Sequence, residues 1–355
     1  MPSYEKRNDK WSVRFRLDGK NKRLSGYYTK RGAEQAYIKA KTVVNKASSD
    51  MTLEILFELF KDYKKLRQKE STFMSFVQTI RDYVLPHFAK KKITDITPAQ
   101  IIDWQTTIDK LPIKFRTKER IFATFISLMN YAVDFYNMPI NPVSKAGNFK
   151  NNELKPDMKF WTEKEFEQFI SVIKDLTYKA FFSTLYLTGA RKGEAMALTW
   201  HDINFTTDTI SITKSYTDKV FGGGYKITTP KTKSSIRQVL APRNLIDILQ
   251  RLQAEHQQYE GYTDKCFVFG FSRPLPTTTV TRKKQEYCKL ANVKEIRIHD
   301  FRHSHASLLI NKEQNILLVA QRLGHSDINQ TLNTYSHLFP NKQKELMSSL
   351  NIKLE

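Results

Sequence analysis

The chain has 355 residues, 40% of them hydrophobic, enough for two or three domains with real cores, and no apolar run approaches the length of a membrane span. A net charge of +22 points to a polyanionic partner, and nucleic acid is favoured over an anionic membrane because no stretch pairs strong amphipathicity with a basic face. Two cysteines, Cys266 and Cys288, make no disulfide framework, and the N-terminal MPSYEKRNDK lacks the apolar core of a signal peptide, so a reducing cytoplasm is expected.

Residues 1–48 read as a small α+β module. Trp11, Val13, Phe15 and Leu17 alternate with Ser12, Arg14 and Arg16, a half-buried strand with a basic outer face. Asp18-Gly19 is a hairpin signal, Lys22–Tyr28 the return strand, and Thr29 can cap a helix with Ala33, Ala36, Tyr37, Ala40 and Val44 inside. Lys10, Arg14, Arg16, Lys20, Lys22 and Arg23 are either an ordinary solvated face or a strand-based DNA reader.

Ser48-Ser49-Asp50 reads as a linker, after which residues 52–142 are helical in pattern. Leu53, Leu56, Phe57 and Phe60 form one apolar stripe; Phe73, Phe76, Val77, Ile80 and Val84 form a second, ended by Pro86. Thr97-Pro98, an N-cap followed by a first-turn proline, starts a helix over Ile101–Leu111. Ile121, Phe122, Phe125, Leu128 and Ala132 mark a fourth helix, and Lys114, Arg116, Lys118 and Arg120 at its start are placed to meet phosphates.

Residues 141–159 read as a second linker. The third domain, 157–355, opens with Trp161 and a capping box at Thr162–Glu165. The apolar run Ala180–Leu187 ends at Thr188-Gly189, and a new helix begins near Arg191. An arginine at a helix N-terminus, among unpaired N–H groups, helps to build an anion site; its plain alternative is a surface pair with Glu194. Thr209–Thr213 and Tyr225–Thr229 are β-rich, and Pro230–Ser235 reads as a hairpin turn into a strand over Ile236–Leu240.

Near the C-terminus the chain reads HDFRHSH, then LGHSDINQTLNTY. His299 and Arg302 are spaced to project from one helix face, Gly324 suits the left-handed residue that closes a helix, and Ser326 is the expected N-cap of the next, which carries Tyr335. The set fits chemistry on a phosphodiester. The alternative is a metal site on His299, His303 and His305, opposed by the arginine among them and by the lack of cysteine or a His-Glu-x-x-His pattern nearby.

His299-Asp300-Phe301-Arg302, Leu323-Gly324-His325 and Tyr335, in this order and spacing, resemble the C-terminal signature of the tyrosine recombinases, the integrases of phages and conjugative transposons. The resemblance extends to Thr188-Gly189-Ala190-Arg191 with Glu194, and in domain order to the whole chain. It implies a multidomain α+β protein: a three-stranded sheet plus helix (1–48) that binds arm-type DNA sites, an all-α core-binding domain (52–142), and a mainly α catalytic domain with a small β-sheet (157–355). It implies a nucleophile at Tyr335, phosphate-binding guanidinia at Arg191 and Arg302, a general base at His299, a phosphate hydrogen-bond donor at His325, an orienting carboxylate at Glu194, and a catalytic lysine in the 230–235 turn, Lys231 rather than Lys233. Attack by Tyr335 would give a 3′-phosphotyrosine and free a 5′-hydroxyl, storing the bond energy covalently, so that neither a nucleotide cofactor nor a metal is required. The implied partners are double-stranded DNA and, on it, three further copies of the chain, with the apolar tail from Leu338 to Glu355 docking on a neighbour; a host DNA-bending protein and an excisionase fit the same picture. A type IB-like topoisomerase and a non-catalytic DNA-binding regulator are the alternatives.

Overall fold

The computed structural model of the chain describes residues 3–17, 20–43, 50–150, 158–230, 233–312 and 314–335, and they fall into two compact units, within residues 1–155 and 156–355. The first begins with three antiparallel strands in sequence order, β1 (Ser3–Arg7), β2 (Lys10–Leu17) and β3 (Lys20–Tyr27). The β2–β3 pairing is the one the hairpin signal predicts, although Asp18-Gly19 themselves lie outside the described residues. Val13 and Phe15 pack with Ala33 of α1 (Lys30–Val43), whose first turn is capped where Gly32 N donates to Thr29 Oγ1 at 3.0 Å. Ser12 departs from the expected outer face. It is 3% exposed, beside a β-bulge at Trp11/Ser12, and lies under Arg23, which donates to its hydroxyl at 3.3 Å.

A separate apolar core follows, enclosed by α2 (Leu53–Lys65), α3 (Glu70–Tyr83), the short α4 (Leu85–Phe88), α5 (Pro98–Asp109), α6 (Phe115–Phe135) and the short α7 (Pro142–Ala146). The predicted stripes are the buried ones: Leu53, Leu56, Phe57 and Phe60 on α2, and Phe73, Phe76 and Ile80 on α3. The second stripe ends ahead of Pro86: α3 stops at Tyr83, and the proline sits in the first turn of α4, where its missing N–H has no carbonyl to lose. Thr97 Oγ1 accepts from Gln100 N at 3.3 Å, so α5 begins at Pro98, ahead of the apolar stripe. Trp104 of α5 is buried because its indole N–H finds Tyr83 O at 2.8 Å.

The second unit starts with Trp161 and α8 (Glu163–Ser171), where Thr162 N donates to Glu165 Oε2 at 2.8 Å and Glu165 N to Thr162 Oγ1 at 3.3 Å. Next, α9 (Leu176–Thr188) is apolar around most of its circumference, and a helix of that kind has to be central. After α10 (Lys192–Met196) come β4 (Ile203–Asn204), β5 (Thr209–Ile212), β6 (Ser215–Thr217), β7 (Lys226–Thr228) and β8 (Arg237–Leu240). The turn before β8 is not a hairpin. β7 pairs back on β6 across the triple glycine, while β8 crosses to β5, giving antiparallel sheets β4-β5-β8 and β6-β7. The unit is completed by α11 (Arg243–His256), α12 (Thr277–Leu290), α13 (Asp300–Asn311), α14 (Ile316–Leu323) and α15 (Ile328–Tyr335). Phe301 of α13 packs edge-on against Trp161 and stacks on Phe182 of α9, which fixes how α13 sits. Among the described residues no helix is long and apolar enough to cross a membrane.

The burial pattern makes a checkable distinction along α2. Phe57 is 0% exposed and Ile55 51%. Phe57→Ala should cost about 3–5 kcal/mol in a urea titration of the full chain, whereas Ile55→Ala should stay within about 0.5 kcal/mol.

Candidate active site

Two left-handed glycines bring the site together. Gly189 (φ 66°) closes α9, and a Cβ there would lie 2.6 Å from the His305 ring and 2.9 Å from Leu323, so only glycine lets α13 and α14 come this close. Gly324 (φ 69°) closes α14 in a Schellman arrangement: Gly324 N donates to Gln321 O at 2.9 Å and His325 N to Ala320 O at 3.1 Å. His325 thus leaves α14 in a defined direction. The next helix is capped by Asp327, whose carboxylate accepts from Asn329 N at 2.9 Å, and not by Ser326; the charged acceptor fits the helix N-terminus better.

Arg191 stands just before α10, with the guanidinium as expected at a helix N-terminus. Glu194 holds it twice: Oε2 accepts from the Arg191 backbone N–H at 2.9 Å, and Oε1 from NH1 at 2.8 Å. The pair is not a surface pair, since Glu194 is 4% exposed. A second guanidinium reaches the same carboxylate, Arg237 NH2 to Oε2 at 3.0 Å, and with Arg191 it holds the Glu194 carboxyl below its ordinary value against the opposing effect of burial. Arg237 also donates from Nε to Arg322 O at 2.8 Å, joining β8 to the end of α14. Reading β8 at period two puts Arg237 on the same side as Val239, the buried face, and a charged residue there was the available signal for it.

Arg302 is 2% exposed and spends two donors on backbone carbonyls, NH1 on Gly189 O at 2.9 Å and NH2 on Leu323 O at 2.6 Å. Burial, then the nearby charges of Arg191 and Arg237, pulls its pKa down to about 9. The three guanidinia therefore crowd one small volume with, among the described residues, Glu194 as the carboxylate they share, an arrangement that an added anion would relieve.

The histidines divide by role. His305 is structural: Nδ1 meets Tyr186 O at 2.7 Å, and Nε2 accepts from Arg322 Nε at 3.1 Å. With both nitrogens used, it cannot serve as the third ligand of a metal site, and among the described residues no group of three or more metal-ligating side chains comes together. His299, the N-cap of α13, lies edge-on to His303 with ring centroids 5.3 Å apart. His303, one turn on, meets the Tyr335 hydroxyl through Nδ1 at 2.8 Å. Spacing along the chain assigns His303 no part with Tyr335; its only signal is that it stands one helical turn from His299. Burial, then the charge of neighbouring groups, lowers His299 below the ordinary imidazole value and brings His303 and His325 down to about 4, so these rings are neutral. Tyr335 is 1% exposed, and burial pushes its phenol up to about 12.

A cleft of about 630 Å³ opens beside Arg191 and His299, lined also by Tyr216, Lys219, Thr281 and Arg297. Lys231 lies outside the described residues, as does the Lys233 side chain, but the end of their turn reaches the site: a Cβ on Gly324 would lie 3.0 Å from Ser234 O. The tail from 336 onward also lies outside them. Of the candidate DNA contacts in the first unit, Arg14 and Arg23 share Glu5 at 3.5 and 3.7 Å, and the side chains of Arg16 and Lys22 are not among those described. Lys114 and Arg116 are exposed at the start of α6, while Lys118 is engaged by Asp109 at 2.8 Å.

The phage integrase family matches residues 159–342, and the phage integrase N-terminal SAM-like domain matches residues 52–108. The chain is 30% identical over 312 residues to the ICEBs1 integrase of Bacillus subtilis (strain 168), covering 86% of this chain and 84% of that one. Its fold is similar to that of the Tn1549 transposon integrase solved with a circular intermediate DNA (TM-score 0.69, 19% identity, 84% of this chain and 100% of that one). It is also similar to that of the lambda integrase tetramer bound to a Holliday junction (TM-score 0.57, 15% identity, 91% and 95%). A family match across the whole site, with a relative that aligns along most of both chains, makes this protein a site-specific tyrosine recombinase of the phage integrase family.

Proposed function

We propose that this recombinase integrates and excises a mobile element by cutting and rejoining duplex DNA through a 3′-phosphotyrosine bond at Tyr335. The observation that supports the reading is the mutual proximity of Arg191, Arg302 and His325, from three separate elements, beside a phenol already paired with an imidazole. Arg191 and Arg302 bind the non-bridging oxygens of the scissile phosphate and offset the charge that grows there in the transition state. Tyr335 Oη attacks phosphorus; its proton passes to the His299–His303 pair, of which His303 is the member in contact. The bond from phosphorus to the 5′ oxygen breaks, and Lys231 protonates the departing alkoxide. Attack by a 5′-hydroxyl from another duplex reverses these steps and reseals the strand, with no external energy source. The guanidinia supply the charge stabilisation that a metal gives in other phosphoryl transfers.

Two duplexes and four cuts need four such sites, so the working form is a tetramer on DNA. Residues 1–48 are the arm-site reader, residues 52–142 bind the core site, residues 157–355 carry the catalytic residues, and a host DNA-bending protein and an excisionase are further partners. Separate apolar cores for the sheet module and the helices after it support that division. A topoisomerase would need no such second reader.

Tyr335→Phe should bind a core-site duplex as the parent chain does and form no covalent adduct on a nicked suicide duplex; an adduct from the Phe variant would place the nucleophile elsewhere. The pH profile has a definite sign. Because the acceptor imidazoles are held neutral, adduct formation should stay level as pH falls through about 6.5, the ordinary imidazole value, and decline only toward the value near 4 to which His303 is pushed. A midpoint at or above the ordinary value, measured under single-turnover conditions, would remove these two histidines from the proton transfer. Deleting residues 1–48 should abolish binding to arm sites and lower the salt slope of DNA affinity by about one for each phosphate no longer bound, with suicide cleavage at the core site retained.

A further inference from the structure

Helix α15 carries Thr331 one turn before Tyr335, so the two side chains share a face. Tyr335 reaches His303, and Thr331 reaches His325: Thr331 Oγ1 lies 2.7 Å from Nδ1. Thr331 is 0% exposed, so its hydroxyl is out of reach of bulk solvent.

We propose that Thr331 is a positioning residue for His325, donating its hydroxyl hydrogen to Nδ1 and so keeping the ring proton on Nε2, the nitrogen left to donate to a phosphate oxygen. A neutral imidazole has one N–H, and which nitrogen carries it is set by the bond made at the other. The charged form, which would donate from both, is opposed here by burial and by Arg302, Arg191 and Arg237. The direction of the Thr331 bond follows from satisfying every group. Threonine on a helix ordinarily returns its hydrogen to the carbonyl four residues back, as Thr334 of the same helix does to Gln330 O at 2.6 Å. Thr331 makes no such bond among the described residues and turns to the imidazole instead. Were Nδ1 the donor, the buried hydroxyl would accept and its own hydrogen would be stranded, a cost that buried polar groups rarely carry. With the hydroxyl donating, both groups are satisfied and Nε2–H is free. Because Thr331 and Tyr335 are on one helix face, the seating of α15 that places the nucleophile also sets the phosphate-facing proton of His325. The catalytic importance of that proton rests on the function proposed above; the tautomer does not.

The test crosses two variants. Thr331→Val keeps shape and removes the hydroxyl, whereas Thr331→Ser keeps the hydroxyl and removes a methyl group. On a nicked core-site duplex, Thr331→Val should slow adduct formation about tenfold with duplex binding unchanged, and Thr331→Ser should recover most of that loss. If packing alone mattered, the order would reverse, and that would overturn the proposal. Nitrogen-15 spectra of the histidine-labelled full chain, with His325 assigned through His325→Gln, give the readout independent of activity: Nε2–H in the parent chain and a tautomer mixture in Thr331→Val. A proton on Nδ1 in the parent chain, or unmixed Nε2–H in Thr331→Val, would also overturn it. If instead the spectra behave as expected while His325→Gln forms adduct at the parent rate, the tautomer lock stands and the function proposed for His325 fails.

Discussion

A carboxylate buried among guanidinia is the constraint on which the catalytic unit depends. Glu194 is 4% exposed and touches both Arg191 and Arg237. Left unpaired, a charge so far from water would cost several kcal/mol, and removing one partner of such a pair destabilises strongly. Arg191 supplies one partner from the same turn, and Arg237 supplies the second by bringing β8 against the start of α10. Once there, Arg237 binds the Arg322 carbonyl, which brings the end of α14, and with it His325, to the same place. The turn before β8 is drawn in too, since Ser234 O lies against Gly324. One ion-pair network thus ties together α10, β8 with the turn before it, and the end of α14, three regions far apart in the sequence.

The same network leaves the site short of negative charge. Arg302 lies behind the Gly189 and Leu323 carbonyls, where it is held without a carboxylate of its own, and the neighbouring histidines are neutral because burial, and after it the nearby positive charge, disfavours their charged form. Backbone carbonyls orient a guanidinium without cancelling its charge. The arrangement is preorganised for a developing phosphate charge and needs little movement at the moment of reaction, the condition under which electrostatic stabilisation is most effective. The phenol is the exception. It is covered, and burial raises its pKa, so Tyr335 holds its proton more tightly than a solvated tyrosine does.

Much of this was legible in the residues alone where the determining interactions are local. The stripes of α2 and α3, the caps at Thr97 and Thr162, and the closures at Gly189 and Gly324 depend on neighbours within one turn, so period and residue type reveal them. Arg191, Arg302, His325 and Tyr335 could be singled out because the integrase signature is itself a spacing pattern. Local rules misled where two local solutions compete, as with Asp327 against Ser326 for the cap of α15.

Only the tertiary structure decided the long-range matters. Strand pairing is one: β8 crosses to β5, and in that place its inward Arg237 reaches Glu194, a residue over forty positions away. The partner of the phenol is another, since His303 meets Tyr335 only after α13 and α15 have packed. The choice of tautomer at His325 is a third, set by a buried threonine whose role has no trace in residue spacing. The sequence by itself determined which helices form, where they stop and which side chains are fit for phosphoryl transfer, because backbone sterics, capping and amphipathic period act over a few residues. Which of those side chains touch, which are charged and where each proton sits depended on burial and on pairing across the fold, and those are properties of the packed chain.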